Sequence, residues 1–276
     1  WKLEQKRTNK KINKMISKNK LKVEIKPEIK SNIPFASGDV LFDWTPFEIP
    51  LGAASLIDIS GTMNGTVGAS QAGELFSLIF AKPIDFEAPP SLGTVNGAIT
   101  AANAVLSRKH IIGYHNVDMG EKADTTFDTM VSYNMFGANY AEANIVPHRN
   151  LVVLNGDKIQ TTTPGYQTIY VAAAAESAID FGTGVLVNGA HDAADTTIVV
   201  DGTDATLVFA PGDIIYGVNV SGATVGTNME VVTAEALLVT VEEGGTGERT
   251  PSVPAITTDF EIAHAFPMVL KLGLEY

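Results

Sequence analysis

The residues able to do chemistry in this 276-residue chain are five histidines and 31 Asp and Glu, with no cysteine among them. Without a thiol, disulfides, a Cys nucleophile and Cys-ligated zinc are all excluded. His110 and His115 fall five apart in a stretch that reads as a strand, which sends their side chains to opposite faces and makes them poor co-ligands for one metal. His115, Asp118 and Glu121 would converge only by way of a loop. His148 follows Pro147 in a turn, and His191 and His264 stand alone. The carboxylates of Asp192, Asp195, Asp201 and Asp204 form a weak candidate site for a hard cation such as calcium, though not in an EF-hand register. The same residues are what tight turns demand for Asx hydrogen bonds, which explains them without a metal.

Gly244-Gly245-Thr246-Gly247 lacks the Lys-Ser/Thr that a phosphate-binding loop needs, and reads as a flexible hairpin turn. There is no G-x-S-x-G elbow and no H-E-x-x-H pair. No catalytic residue, cofactor or enzymatic activity is therefore expected; in the competing reading of a β-fold hydrolase, paired carboxylates near Asp118 and Glu121 would be its site.

Charge is the stronger signal. Residues 1–30 hold 11 of the 19 Lys and Arg and only three acids, a net charge of +8, whereas residues 31–276 are at −20. Lys6, Arg7, Lys10, Lys11, Lys14, Lys18, Lys20 and Lys22 make this a basic N-terminal arm suited to binding a partner. One reading sets the arm across the acidic surface of a neighbouring copy. A second has it neutralise phosphates of nucleic acid, for which its single Trp at position 1 offers no interleaved stacking platform. A third leaves it as a solvated, partly helical tail. From Val23 to Ile29 polar and apolar residues alternate, which predicts an extended segment.

The body that must carry these residues is rich in Val, Ile, Thr, Ala and Gly, with frequent turn residues, and reads as mostly β. Strands are predicted at Asp39–Trp44, Ala54–Ser60, Leu75–Ala81, Ile111–Val117, Thr126–Tyr133, Leu151–Leu154 and Tyr166–Ala174. Pro46 and Pro50 are expected to break the chain after the first, and Asn155-Gly156 to close a hairpin. Residues 87–107 read as a long surface loop with one short helix near Ala98–Leu106. Beyond residue 180 the texture shifts to short strands at Gly184–Val187, Thr196–Val200, Ala205–Phe209, Asp213–Val220, Met229–Thr233 and Leu237–Val241.

The expected organisation is an arm over 1–36, a β-sandwich or jelly-roll-like body over 37–179, a small β-barrel or sandwich module inserted over 180–247, and return strands over 248–276 that pair with the body. No stretch approaches the roughly 18 consecutive apolar residues of a membrane span, and the basic start is not followed by an apolar signal-type segment. No membrane partner is expected.

The segments Asp39-Val40-Leu41-Phe42-Asp43-Trp44, Leu78-Ile79-Phe80-Ala81-Lys82 and Thr203 through Tyr216 give the chain a texture that resembles accessory structural proteins of tailed bacteriophages. The resemblance covers about half the chain and carries no catalytic residues. It implies a capsid decoration or cement protein of the virion's outer surface, assembled in the host cytoplasm. Its partners would be the capsid protein and copies of itself in a trimer or other homo-oligomer. Nucleic acid stays open as a partner of the arm. A fibre or adhesin subunit binding a host glycan is the alternative, with few aromatics in residues 180–247 to build a sugar site.

Overall fold

The structure is a computed structural model that describes residues 20–29, 33–64, 75–118, 123–127, 130–134, 153–154, 163–181, 184–188, 195–202, 204–219, 224–235, 238–243 and 260–276. The chain is mostly β, as its composition predicts, and begins with β1 (Lys20–Ile25), in which exposed and inward-facing residues alternate. That alternation runs on to Ile29. β1 pairs antiparallel with β16 (Met268–Glu275), Lys20 opposite Glu275 and Ile25 opposite Leu270. The sheet continues through β3 (Ala54–Asn64), β7 (Met130–Asn134) and β6 (Ala123–Phe127), with β8 (Val153–Leu154) paired to the start of β3.

A second antiparallel sheet has the order β2 (Val40–Pro50), β9 (Tyr166–Ala175), β4 (Leu75–Ala81), β5 (Ile111–Asp118). One apolar core joins the two. Ile25, Leu56, Met63, Leu270, Leu272 and Leu274 meet Phe42, Phe47, Phe76, Leu78, Phe80 and Val171, so the body is sandwich-like. Pro46 does not break β2, contrary to the sequence expectation. β2 is an edge strand, where a missing N–H costs no ladder bond on the open side, and two register shifts absorb the remaining irregularity.

Residues 87–107 contain only one helix, α1 (Ala101–Ser107), as expected, yet this excursion is a cover for the outer face of the second sheet. Trp44 Nε1 and Ser107 Oγ both donate to Pro90 O, at 2.8 and 3.0 Å, and Asn103 Nδ2 donates to Leu92 O at 2.7 Å. Beneath these bonds Leu92 closes on Val40 and Ala172. Thr100 caps α1 by accepting from the Asn103 N–H.

Between β9 and β16 the chain leaves the sandwich and builds a closed barrel. In its order of pairing the barrel runs β10 (Val185–Val187), β11 (Thr197–Asp201), β14 (Leu238–Glu243), β13 (Thr224–Glu235), β12 (Ile214–Asn219) and β15 (Phe260–His264), which returns to β10. Val187, Ile198, Val200, Phe209, Ile215, Val231, Val239 and Ile262 fill its interior. The module's last strand lies beyond residue 247: β15 closes the barrel, and only β16 returns to the body. Ala205–Phe209 is not a strand. Asp204 caps a 3-10 turn over Ala205–Leu207, which buries Ala205 and Phe209 and turns Leu207 outward.

Residues 20–36 belong to the arm that the sequence predicts, but the structure places most of the described ones in the body. Ile25, Ile29 and Phe35 all lie in the main core, and the Phe35 N–H donates to Ile179 O at 2.8 Å. Alternating burial from Lys20 to Ile29 gives this stretch an inward face of its own, which the acidic body can cover only by accepting it as a strand.

Candidate functional site

The eight arm residues divide at residue 20. Lys6, Arg7, Lys10, Lys11, Lys14 and Lys18 lie outside the described residues, whereas Lys20 and Lys22 stand on the exposed face of β1. Lys20 lies directly opposite Glu275 in the register. On the same face Glu24 Oε1 is 3.4 Å from Lys26 Nζ and its Oε2 is 3.8 Å from Lys271 Nζ. These are exposed pairs, worth at most about 1 kcal/mol each. What fixes β1 is the opposite face, where Ile25 is 4 % exposed and Leu21 and Val23 pack against the core. Residues 1–19, with seven Lys and Arg against Glu4, thus precede a strand that is paired into the sheet.

The barrel carries the opposite charge. Residues 184–264 contain 12 Asp and Glu and a single Arg, a net charge of −11. The carboxylates of the predicted cation site do different jobs. Asp204 Oδ1 accepts from Thr206 N at 2.9 Å and from Thr206 Oγ1 at 2.6 Å, so it is a cap. Asp201 points outward at the end of β11, opposite Leu186, while Asp195 precedes that strand, half-buried. Asp192 lies outside the described residues, as do Glu121, His148, His191, Gly156 and Gly244–Gly247. Among the described residues no group of three or more His, Asp or Glu converges on a point that could hold a metal ion.

Sequence reasoning missed the joint between the sandwich and the barrel. The connection between β15 and β16 is held to the sandwich: Ile29 N donates to Ala265 O at 2.8 Å, and Asn64 N to Pro267 O at 2.6 Å. Asn228 Nδ2 of β13 donates to Glu28 Oε1 at 2.9 Å. Tyr216 is wholly buried here beside Ala263 and Ala265. Burial, and then the nearby charges of Glu261 and Glu28, push its phenol far above the ordinary value, so it stays protonated. The only advance signal was a Tyr inside an otherwise apolar strand.

A cleft of about 200 Å³ opens beside the joint, lined in part by Lys26, Thr62, Asn64, Asp213 and His264. His264 is held from several sides. Its Nε2 donates to Val208 O at 2.9 Å, its ring packs on Phe209 with centroids 5.1 Å apart, and its Nδ1 lies 3.9 Å from Asp213 Oδ2, beyond hydrogen-bond reach. Asp213 Oδ2 instead accepts from Ala210 N at 2.7 Å.

Ser77 Oγ stands 2.6 Å from Glu176 Oε1 and 2.8 Å from Asn116 Oδ1, binding β4 to the strands beside it. His115 pairs with Leu78 across β4 and β5, and its Nε2 is buried without a hydrogen-bond partner. Burial lowers its pKa, leaving the ring neutral near pH 7. His110 lies just before β5, not on it, with Nδ1 2.9 Å from Lys82 O. Among the described residues no helix is long and apolar enough to cross a membrane.

No model of a known protein family matches the chain, and no curated protein sequence is significantly similar to it.

Proposed function

We propose that the chain is a non-enzymatic structural component of a bacteriophage virion, a decoration or cement protein of the outer capsid surface that links subunits through its basic N-terminal arm. The observation that carries this reading is the anchoring of β1. Six consecutive register pairs hold β1 at a sandwich edge, which supports reading residues 1–19 as a charged segment tethered to the body at that edge. A segment tethered in this way meets a complementary surface at high effective concentration, and many weak charge contacts then add. The −11 barrel of a neighbouring copy, or acidic capsid surface, is the complement. The phage-like texture of the segments quoted above supplies the setting.

The test is co-sedimentation with undecorated capsids at low and high salt, using the full chain and a chain starting at residue 20. Binding by the full chain that is weakened by salt and by removal of residues 1–19 is expected. Failure of both forms to co-sediment overturns the capsid assignment, and salt-sensitive retention of DNA in its place assigns the arm to nucleic acid.

A further inference from the structure

We propose that β5 is an interface between two copies of this chain, pairing antiparallel with the β5 edge of a second copy about a two-fold axis and fusing two four-stranded sheets into one of eight. The proposal depends neither on the basic arm nor on a capsid.

Among the described residues β5 pairs with β4 alone and is the outermost strand of the second sheet. Natural sheets blunt such edges with proline, charge, bulges or short strands, because an open ladder recruits other chains. The other sheet edges here follow that rule. β2 carries Pro46, Pro50 and two register shifts, β1 carries Lys20, Lys22 and Glu24, β6 has five residues and a register shift, and the barrel is closed. β5 does not. Its eight residues, Ile111-Ile112-Gly113-Tyr114-His115-Asn116-Val117-Asp118, contain no proline and no Lys, Arg or Glu, and the single register shift lies at the Ile111 end. The burial that lowers the pKa of His115 leaves this strand without a cation near pH 7.

This edge also exposes apolar side chains. Tyr114 is 68 % exposed and Ile111 39 %, and on the preceding helix Val105 and Leu106 are 55 and 59 % exposed. Four exposed large apolar residues within ten positions of the sequence give this segment the apolar character of a contact surface.

Charge selects the occupant. Exposed Arg108 and Lys109 precede the strand in the turn before it and Asp118 ends it, so the segment 108–118 is basic at its start and acidic at its end. Antiparallel pairing of two copies sets each basic end against the partner's acidic end, while parallel pairing sets like against like. An isologous contact makes this match twice. A second copy of the same strand is therefore the complement that the sequence itself supplies.

Sedimentation velocity of the full chain at high salt, where contacts of the arm are screened, is expected to show a concentration-dependent dimer. Tyr114→Lys, on an exposed site, is expected to give a folded monomer with an unchanged far-UV CD spectrum. Lys109→Glu is expected to weaken dimerisation roughly tenfold, since at both symmetry-related ends it sets an acid near the partner's Asp118, and adding Asp118→Lys to restore it. The chain has no cysteine, so Tyr114→Cys gives a clean probe near the axis. A short bis-maleimide is expected to cross-link it into dimers, and not to cross-link Leu186→Cys on the barrel surface. A monomer at every concentration overturns the proposal. So does an oligomer indifferent to Tyr114→Lys, equal cross-linking at position 186, or association that vanishes at high salt and so belongs to the arm.

Discussion

If burial of the inward face of β1 is what anchors the basic segment, trimming that face must release it. Ile25 is the position to change: it is 4 % exposed, lies opposite Leu270 and belongs to the main core. Ile→Ala at a buried site costs about 2–5 kcal/mol, and the lower part of that range applies on an edge strand, where neighbours can collapse into the space. Taking about 2–3 kcal/mol, and about 1.4 kcal/mol per factor of ten, the population in which β1 is detached rises roughly 30- to 150-fold. Limited trypsin digestion read by mass spectrometry measures that population, because Lys22 must leave the sheet before the peptide bond after it can enter the protease. With protease dilute enough for opening and closing to equilibrate, the cleavage rate after Lys22 follows the open fraction. Ile25→Ala is therefore expected to speed that cut by the same factor. Ile198→Ala, in the barrel core, is expected to leave it at the wild-type rate. Equal rates in Ile25→Ala and wild type would refute the anchoring argument, and with it the observation on which the proposed function rests.

Two glycines sit where a methyl has no room, one in each module. A Cβ on Gly273 would lie 2.6 Å from Asp58 Cβ, and one on Gly184 would lie 2.7 Å from Ile262 O, so each Gly→Ala should cost about 1–3 kcal/mol through overpacking. Trp44 in the body is the only Trp beyond position 1, so Gly273→Ala should lower the urea midpoint of its fluorescence, while Gly184→Ala should lower a far-UV CD transition and spare the fluorescence. His115, held below its ordinary pKa of 6.5, binds its proton more readily in the unfolded chain; its contribution is intact above about pH 6.5 and is lost as pH falls from there through the lowered value. His115→Leu should flatten that part of the stability profile and, by removing a buried unpartnered nitrogen, raise the midpoint at pH 5.5. Tyr216 has the opposite linkage: its pKa is raised above 10.0, so the unfolded chain loses the phenolic proton first and stability falls as pH rises beyond that value. Denaturation curves between pH 9 and 11 should show a smaller loss in Tyr216→Phe.

Much of the strand content was legible because period-2 alternation and turn residues are local signals. Leu75–Ala81 is a strand with the boundaries its apolar run implies, and the module beyond residue 180 closes as a barrel. The misreadings came from information that is not local. Whether Pro46 breaks a strand depends on whether that strand is an edge, which pairing alone decides. Ala205–Phe209 has the apolar content of a strand, but Asp204 captures the Thr206 amide and starts a 3-10 turn. The arm's boundary was placed too late because eight dispersed lysines and arginines outweighed a short alternating run. Charge occupies one face of β1 only, and the other face decided where the segment lies.

The same distinction separates the two proposed ways in which copies of this chain associate. A basic segment facing an acidic barrel acts at a range of about 8 Å at physiological salt and weakens as salt rises. It suits capture and gives little register. Pairing of β5 with β5 acts only at contact, is fixed in register by the ladder, and is indifferent to salt apart from the charges at the strand ends. The two devices also have different symmetry. An edge pairing with itself closes a dimer and is then used up, whereas an arm reaching from the far edge of the other sheet to a different module is heterologous and can extend from one copy to the next. A chain with both would build a lattice of linked dimers in which the arms set the reach and the β5 edges set the geometry. Raising salt should then reduce assemblies to dimers, and Tyr114→Lys should leave a salt-sensitive association of monomers. Either result can be obtained without the other, so each device can be tested on its own.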